Sequence, residues 1–232
     1  MTALIRMRLA GFVRTGRALA PLILGLVLLG VIYGGGASPA AVAYGYSAVT
    51  LFPLLAWQTK LLLDVEPDVQ RRLARLTVGA TREAAAGLIA AVLWGVGVCA
   101  VAMVAPCPFH AIQGAAPGTH DASLALGIAM GVLAHLLALI AAVALGSLAS
   151  RAVTRTIPIG LTVLVVGAVL TIVLGLRGSI APWAVPPVMA TARVFSSGAL
   201  PDVATLLPLT AWALAWSAVV LAGYGLLRRR RS

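Results

Sequence analysis

Acidic residues are scarce in this chain of 232 residues, which has six Asp and Glu against seventeen Lys and Arg and a net charge of +11. Charged residues make up only 10% of the chain, hydrophobic residues make up 61%, and the mean hydropathy is +1.05. Soluble domains usually carry about 25% charged residues, so the composition excludes an ordinary soluble domain. The arginines lie between apolar runs instead of forming a basic face in water, so we expect no nucleic-acid partner.

Cysteine is also rare, with Cys99 inside an apolar run and Cys107 just beyond it. Two such residues cannot build a disulfide framework or a zinc ribbon. Cys107, His110, His120 and Asp121 match no established ligand spacing, although together they offer soft metal ligands. We therefore predict no metal site.

Six apolar runs are long enough to cross a bilayer core of about 30 Å as helices. Lys60 is the single charged residue within them, so we expect no Asp or Glu inside a span. The predicted fold is an all-α polytopic membrane protein with one transmembrane domain, residues 18–232. The spans are predicted at residues 18–35, 42–63, 84–105, 123–148, 157–176 and 206–227.

Every second loop is rich in basic residues, and this distribution orients the chain, because basic residues are retained on the cytoplasmic side. Arginines crowd the N-terminus, the loops after spans two and four, and the C-terminal tail, whereas the opposite side has only Arg177 and Arg193. Both termini are predicted to be cytoplasmic. The preference for Arg over Lys, with abundant Ala, Leu, Val and Gly, suggests a bacterial plasma (inner) membrane.

Residues 1–17 have the pattern of an amphipathic helix, with Ile5, Leu9 and Phe12 on one side. We expect this helix to lie in the headgroup layer of the lipid membrane. An ordinary basic flank is the alternative. A signal peptide ending near Ala41-Val42-Ala43 is a further alternative, but the basic region is long for one.

The cytoplasmic loop at residues 64–83 is predicted to contain a short helix from Pro67 to Leu76 that can dock on a partner. Glu66 is a candidate cap, Pro67 suits the first helical position, and Gly79 can end the helix. An apolar stripe lies between arginines, which suits insertion into a groove of another protein. A surface linker is the alternative. The candidate partner-binding residues are Glu66, Asp68, Val69, Arg71, Arg72, Leu73, Arg75 and Leu76.

Residues 177–205 are proline-rich and apolar, but their apolar pieces are too short to span. We interpret them as a re-entrant segment at the outer mouth of a pathway, with a folded outer loop as the alternative. Trp183, Met189 and Phe195 in this segment, together with His135 at mid-depth in span four, are the candidate pathway residues.

No phosphate-binding Gly-x-x-x-x-Gly-Lys-Ser/Thr loop is present, and Lys60 follows Ala56-Trp57-Gln58-Thr59. The chain is therefore not expected to be an ATP-hydrolysing enzyme, and we predict no catalytic residue and no cofactor bound by this chain. Ion-coupled carriers usually need buried carboxylates or broken helices, so active transport would take its energy from another subunit.

The basic start, six spans, long first cytoplasmic loop and basic tail together resemble the ATP-binding-cassette (ABC) type-2 permeases. The closest local likeness is residues 72–87, RLARLTVGATREAAAG, which resemble that family's stretch from coupling helix into span three. The resemblance implies an elbow helix at residues 1–17 and a coupling helix at 67–76. It implies an ABC ATPase subunit that binds ATP and Mg, and a second permease chain in a homodimer or heterodimer.

By the same resemblance, the cargo would be an exported lipophilic or amphipathic compound such as an antibiotic, peptide or lipid. Three alternatives stay open. They are a permease for haem or cytochrome assembly, a membrane scaffold without transport, and an intramembrane enzyme.

Overall fold

The computed structural model describes residues 1–115 and 118–230, except the side chain of Asp68, and this part of the chain is almost entirely helical. Short 3₁₀ turns occur at Cys107–Phe109 and Pro182–Ala184, and Ser38–Pro39 (β1) pairs in parallel with Ile112–Gln113 (β2). The α-helices are α1 Thr2–Arg14, α2 Leu19–Tyr33, α3 Ala40–Leu63, α4 Asp68–Val78, α5 Ala80–Val104, α6 Leu124–Leu148, α7 Arg151–Thr154, α8 Ile157–Leu174, α9 Val188–Phe195 and α10 Val203–Arg230.

Five of these helices, α3, α5, α6, α8 and α10, are long and apolar enough to span a membrane. A sixth span results only if α1 and α2, which meet at a bend of 74°, are counted together. Helix α2 alone has 15 residues, about 22 Å of helix against a bilayer core of about 30 Å. The architecture is compatible with a multi-pass membrane protein.

Helices α3 and α6 form the centre of the bundle, and each has most of its apolar length buried. Their close approach depends on small residues. A β-carbon at Gly131 would overlap the ring of Tyr44, and one at Gly146 would overlap the backbone of α3 at Ala56. The outer helices α8 and α10 leave most of their apolar side chains exposed, as helices that face lipid do.

Helix α5 begins at Ala80, four residues before the predicted start of span three. Gly79 has φ 88°, which glycine adopts without a β-carbon penalty, so the chain turns sharply and the next helix starts at once. Glu83 therefore lies in the first turn of α5, inside a candidate span. The absence of acidic residues from the membrane core stays a prediction, because Glu83 lies at the very end of this helix.

Helix α4 begins one residue later than predicted, because Pro67 is the extended N-cap residue and not the first helical residue. Gly79 ends the helix, as predicted. Glu66 does not cap α4, since no side chain forms a cap hydrogen bond there. Its carboxylate instead contacts Arg8, and a charge-assisted, two-pronged bond to a guanidinium is stronger than a cap bond.

The proline-rich segment 177–205 folds into the second 3₁₀ turn and the eight-residue helix α9, which packs against α3 and α6. Phe195 at the end of α9 is completely buried, whereas Trp183 in the turn is 74% exposed. Eight helical residues span about 12 Å, too little to cross a bilayer. The re-entrant placement of this segment stays a prediction.

Candidate functional site

Buried charged side chains join the helices at one end of the bundle, where α3, α6 and α10 end and α5 begins. Three carboxylates lie there at 0 to 6% exposure, which is costly for charges unless each has a partner. We call this group the ion cluster. It consists of Arg8, Lys60, Asp64, Glu66, Arg75, Glu83, Arg151 and Arg228.

Arg8 connects α1 to the segments on both sides of α4. Its Nε and Nη2 atoms donate to the two carboxylate oxygens of Glu66 at 3.0 and 2.8 Å. The same guanidinium donates to the Glu83 carboxylate and, at 3.2 Å, to the Glu83 carbonyl oxygen. One turn along α1, the buried ring of Phe12 packs edge-on against Trp94 of α5, so the arginine lies on the inward face of an anchored helix.

The Glu83 carboxylate contacts arginine side chains of α4 and α10 as well as Arg8 of α1. Its Oε2 atom lies 3.4 Å from Arg75 Nε and is also in contact with Arg228 Nη2. Arg228 Nη1 donates to the Tyr224 hydroxyl at 2.6 Å, which fixes the guanidinium on its own helix. Burial, followed by the nearby charge of Arg71, lowers the pKa of Arg75 from its ordinary value.

Asp64 forms the second part of the ion cluster, beside Glu66. Its carboxylate accepts from Lys60 Nζ at 2.8 Å and from the backbone N–H of Arg151 at 2.8 Å. The Asp64 carbonyl accepts from Arg17 and from the Arg151 side chain, both at 2.9 Å. The ion cluster thus joins α1, the end of α3, α4, α5, α7 and α10, and Arg17 attaches the chain before α2 to it.

The outward side of α4 carries the predicted apolar stripe. Val69 is 69% exposed, Leu73 is 57% exposed and Leu76 is 84% exposed. Arg72 is exposed beside them, whereas Arg75 on the other side of the helix reaches Glu83. We call Val69, Leu73 and Leu76 the α4 stripe. Helix α4 therefore has one side bound to the bundle and one apolar side available to another surface.

The predicted partner-binding residues divide between these two sides. Glu66 and Arg75 belong to the ion cluster, where Glu66 is almost fully buried, so neither forms part of the outward surface. Arg71 is half-buried, and Asp68 lies in the first turn of α4. The remaining predicted residues, Val69, Arg72, Leu73 and Leu76, are exposed together.

The four predicted pathway residues are not brought together. His135 on α6 faces α3, where its Nε2 lies 3.2 Å from Ser47 Oγ and its Nδ1 lies 2.8 Å from the Gly131 carbonyl oxygen. Phe195 packs toward α3 at Gly45, and Met189 lies against Gly175 at the end of α8. Trp183 points outward. Both ring nitrogens of His135 have local partners, which is typical of a histidine that stabilises helix packing.

Three residues of the ion cluster, Arg8, Glu83 and Arg228, are not predicted as site residues from the sequence. Arg8 and Arg228 belong to groups of orienting charges, and Glu83 ends the predicted loop at residues 64–83. The sequence does contain a signal for Glu83, since it stands immediately before an alanine-rich stretch and has no second acidic residue near it. An acidic residue at that boundary requires cations from elsewhere in the chain.

Among residues 1–115 and 118–230, no group of three His, Cys, Asp or Glu side chains is arranged as a metal site. Comparison with protein-family models, curated proteins and solved structures finds no match to this chain. The chain is all-helical, and five or six of its helices are able to span a membrane. At one end of the bundle, buried ion pairs join the helices, and the α4 stripe is exposed at the same end.

Proposed function

We propose that this chain is the permease subunit of an ABC exporter in a bacterial plasma membrane, driven by a separate ATPase subunit that docks on the α4 stripe. The observation that carries the proposal is the two-sided character of α4. Its exposed side offers Leu73 and Leu76 to a partner, and its inner side is fixed to the bundle through Arg75 and Glu83.

A docking helix transmits motion only if it is firmly attached to the helices that must move. The ion cluster supplies such an attachment, because Arg8, Arg75 and Arg228 from three different helices meet the single carboxylate of Glu83. A displacement of α4 would thus act on α1, α5 and α10 together. Packed helices with two discrete arrangements are the usual means of converting a local displacement into a larger one.

The resemblance of residues 72–87 to the coupling region of ABC type-2 permeases supports the same assignment. In this proposal the ATPase binds ATP and Mg, two permease chains line the pathway, and the cargo is lipophilic or amphipathic. The apolar character of α3 and α6, the central helices, favours such a cargo over a small ion.

Co-expression with a candidate ATPase subunit, chosen as a protein with a phosphate-binding loop encoded beside this chain if one is found there, tests the docking. We compare the wild type with Leu73→Asp and with the control Gln70→Asp, which adds the same charge at another exposed position of α4. Loss of a central apolar contact costs about 2 kcal/mol or more, so Leu73→Asp should lower recovery of the ATPase more than tenfold. Equal recovery with Leu73→Asp and Gln70→Asp would reject the docking site.

A further inference from the structure

A cavity of about 250 Å³ lies beside the ion cluster, between α4, α5 and α10. Helices α5 and α10 make few contacts with each other, so the space between them is open. Small residues widen it, since the α5 wall contains Ala80, Ala84 and Ala85 and the α10 wall contains Gly225.

The lining has a charged end and an apolar end. Arg75, Arg228 and Arg229 lie at one end, and Leu88 and Leu221 lie at the other. None of the described residues that line the cavity is acidic. A ligand that fits both ends would carry a negative charge at one end and a hydrocarbon chain at the other.

The spacing of the two ends matches the cytoplasmic half of a bilayer. Leu88 lies five residues beyond Glu83, which Arg75 and Arg228 contact, and Leu221 lies seven residues before Arg228. The leucines are thus about 7 to 11 Å along the helices from the arginines. The headgroup layer is about 5 to 8 Å thick on each side of the hydrocarbon core. Arginines in the headgroup layer would therefore leave the leucines at the level of the acyl chains.

The charge of the surrounding helices also favours an anion. Helices α4, α5 and α10 together contain seven arginines and two acidic residues, Asp68 and Glu83. Glu83 contacts Arg75 and Arg228, and the arginines still outnumber the carboxylates. Basic pockets between transmembrane helices on the cytoplasmic side are typical binding sites for anionic lipid headgroups. Guanidinium groups also match the geometry of a phosphate, to which they can donate two parallel hydrogen bonds.

We infer that this cavity binds one anionic phospholipid from the cytoplasmic leaflet. Its phosphate lies between Arg75 and Arg229, and one acyl chain runs between α5 and α10 along Leu88 and Leu221. The inference requires that the chain lies in a membrane but does not depend on an ATPase partner. Through Arg75, the bound lipid would contact the inner side of α4.

Native mass spectrometry of the purified chain tests the inference, with phosphatidylglycerol and phosphatidylcholine of identical acyl chains as probes. We expect one phosphatidylglycerol to be retained at least about fivefold more than phosphatidylcholine. Arg229→Gln should abolish this preference because Arg229 lies on the exposed edge of the cavity. Ala85→Phe should reduce retention of both lipids by filling the space.

Two matched variants control for general effects of charge and size. Arg230→Gln removes the neighbouring arginine and Val219→Phe enlarges an exposed residue of α10, and neither position lines the cavity. Both should bind lipid like the wild type. Excess glycerol 3-phosphate should not displace the lipid, since it lacks the acyl chain. Equal retention of the two lipids, an unchanged preference in Arg229→Gln, or displacement by glycerol 3-phosphate would each overturn the inference.

Discussion

Arg8 of α1 and Glu66 before α4 form a two-pronged ion pair, at 3.0 and 2.8 Å, across 58 residues of sequence. Both side chains are almost completely buried. The pair fixes the start of α4 to the N-terminal helix α1. The same guanidinium contacts Glu83, so the pair also positions the first turn of α5.

The first prediction concerns this pair. Arg8→Met leaves Glu66 buried without its cation, and Glu66→Leu leaves Arg8 with one carboxylate fewer. Arg8→Met should lower the free energy of unfolding by about 3 to 5 kcal/mol. Glu66→Leu should lower it less, because Arg8 keeps its contact with Glu83. The double variant should be more stable than the sum of the two losses predicts, because it removes both charges. Thermal unfolding in detergent measures this, with the exposed Arg6→Met as control. Strict additivity would show that the pair contributes no coupling.

The second prediction concerns Gly87, which lies on α5 beneath Arg8. A β-carbon there would overlap Arg8 Nη1 and Leu63, and the arginine cannot easily move because two carboxylates hold it. Gly87→Ala should therefore destabilise the chain by about 1 to 3 kcal/mol. Gly97→Ala on the same helix is the matched control, since its β-carbon would meet open space. A Gly87→Ala variant as stable as Gly97→Ala would contradict the close packing of Arg8.

The third prediction concerns the C-terminal arginines. Arg228 is buried against Glu83 and Tyr224, whereas Arg230 is exposed. Arg228→Gln should lower the temperature of unfolding clearly, and Arg230→Gln should leave it nearly unchanged. Tyr224→Phe removes one hydrogen bond to a charged group and should cost about 1.5 to 3 kcal/mol. If Arg228→Gln and Arg230→Gln unfold at the same temperature, α10 is not part of the ion cluster.

The fourth prediction separates docking from attachment in the co-expressed complex. Leu73→Asp changes the exposed side of α4, so this variant should no longer bind the ATPase. Arg8→Met leaves the α4 stripe unchanged, so this variant should still bind the ATPase. The variant permease chain should, however, no longer alter the rate at which the bound ATPase turns over ATP. The measurement is ATP turnover in proteoliposomes, normalised to the amount of bound ATPase. Equal turnover for Arg8→Met and the wild type would show that the ion cluster does not transmit the motion.

The amino-acid sequence predicted the features that depend on local patterns. Long apolar runs located the helices α3, α5, α6, α8 and α10 to within a few residues. The spacing of Val69, Leu73 and Leu76 predicted an amphipathic helix in the loop, and the structure leaves that side of α4 exposed. These properties follow from hydrophobic periodicity and helix length, which are visible in a short window.

The ion cluster could not be predicted in the same way, because its contacts join residues far apart in the chain. Helical periodicity places Arg8 on the same face as Ile5, Leu9 and Phe12 and Arg6 away from it, but it does not show which carboxylates Arg8 meets. The position of Glu83 depended on Gly79, whose turn starts α5 earlier than the apolar run suggests. The candidate pathway residues come from segment 177–205 and from the mid-depth of span four, and local sequence does not show that packing places His135, Trp183 and Phe195 in different surroundings.

Photo-crosslinking in intact cells tests the central claim most directly. A benzophenone amino acid replaces Leu73 or Leu76 on the α4 stripe, or Leu93 on the exposed side of α5 as control. Mass spectrometry then identifies the adducts. The proposed docking predicts that positions 73 and 76 link to a protein with a phosphate-binding loop and that position 93 does not. Adducts of positions 73 and 76 with lipid alone would contradict it, because α4 would then lie on the membrane surface.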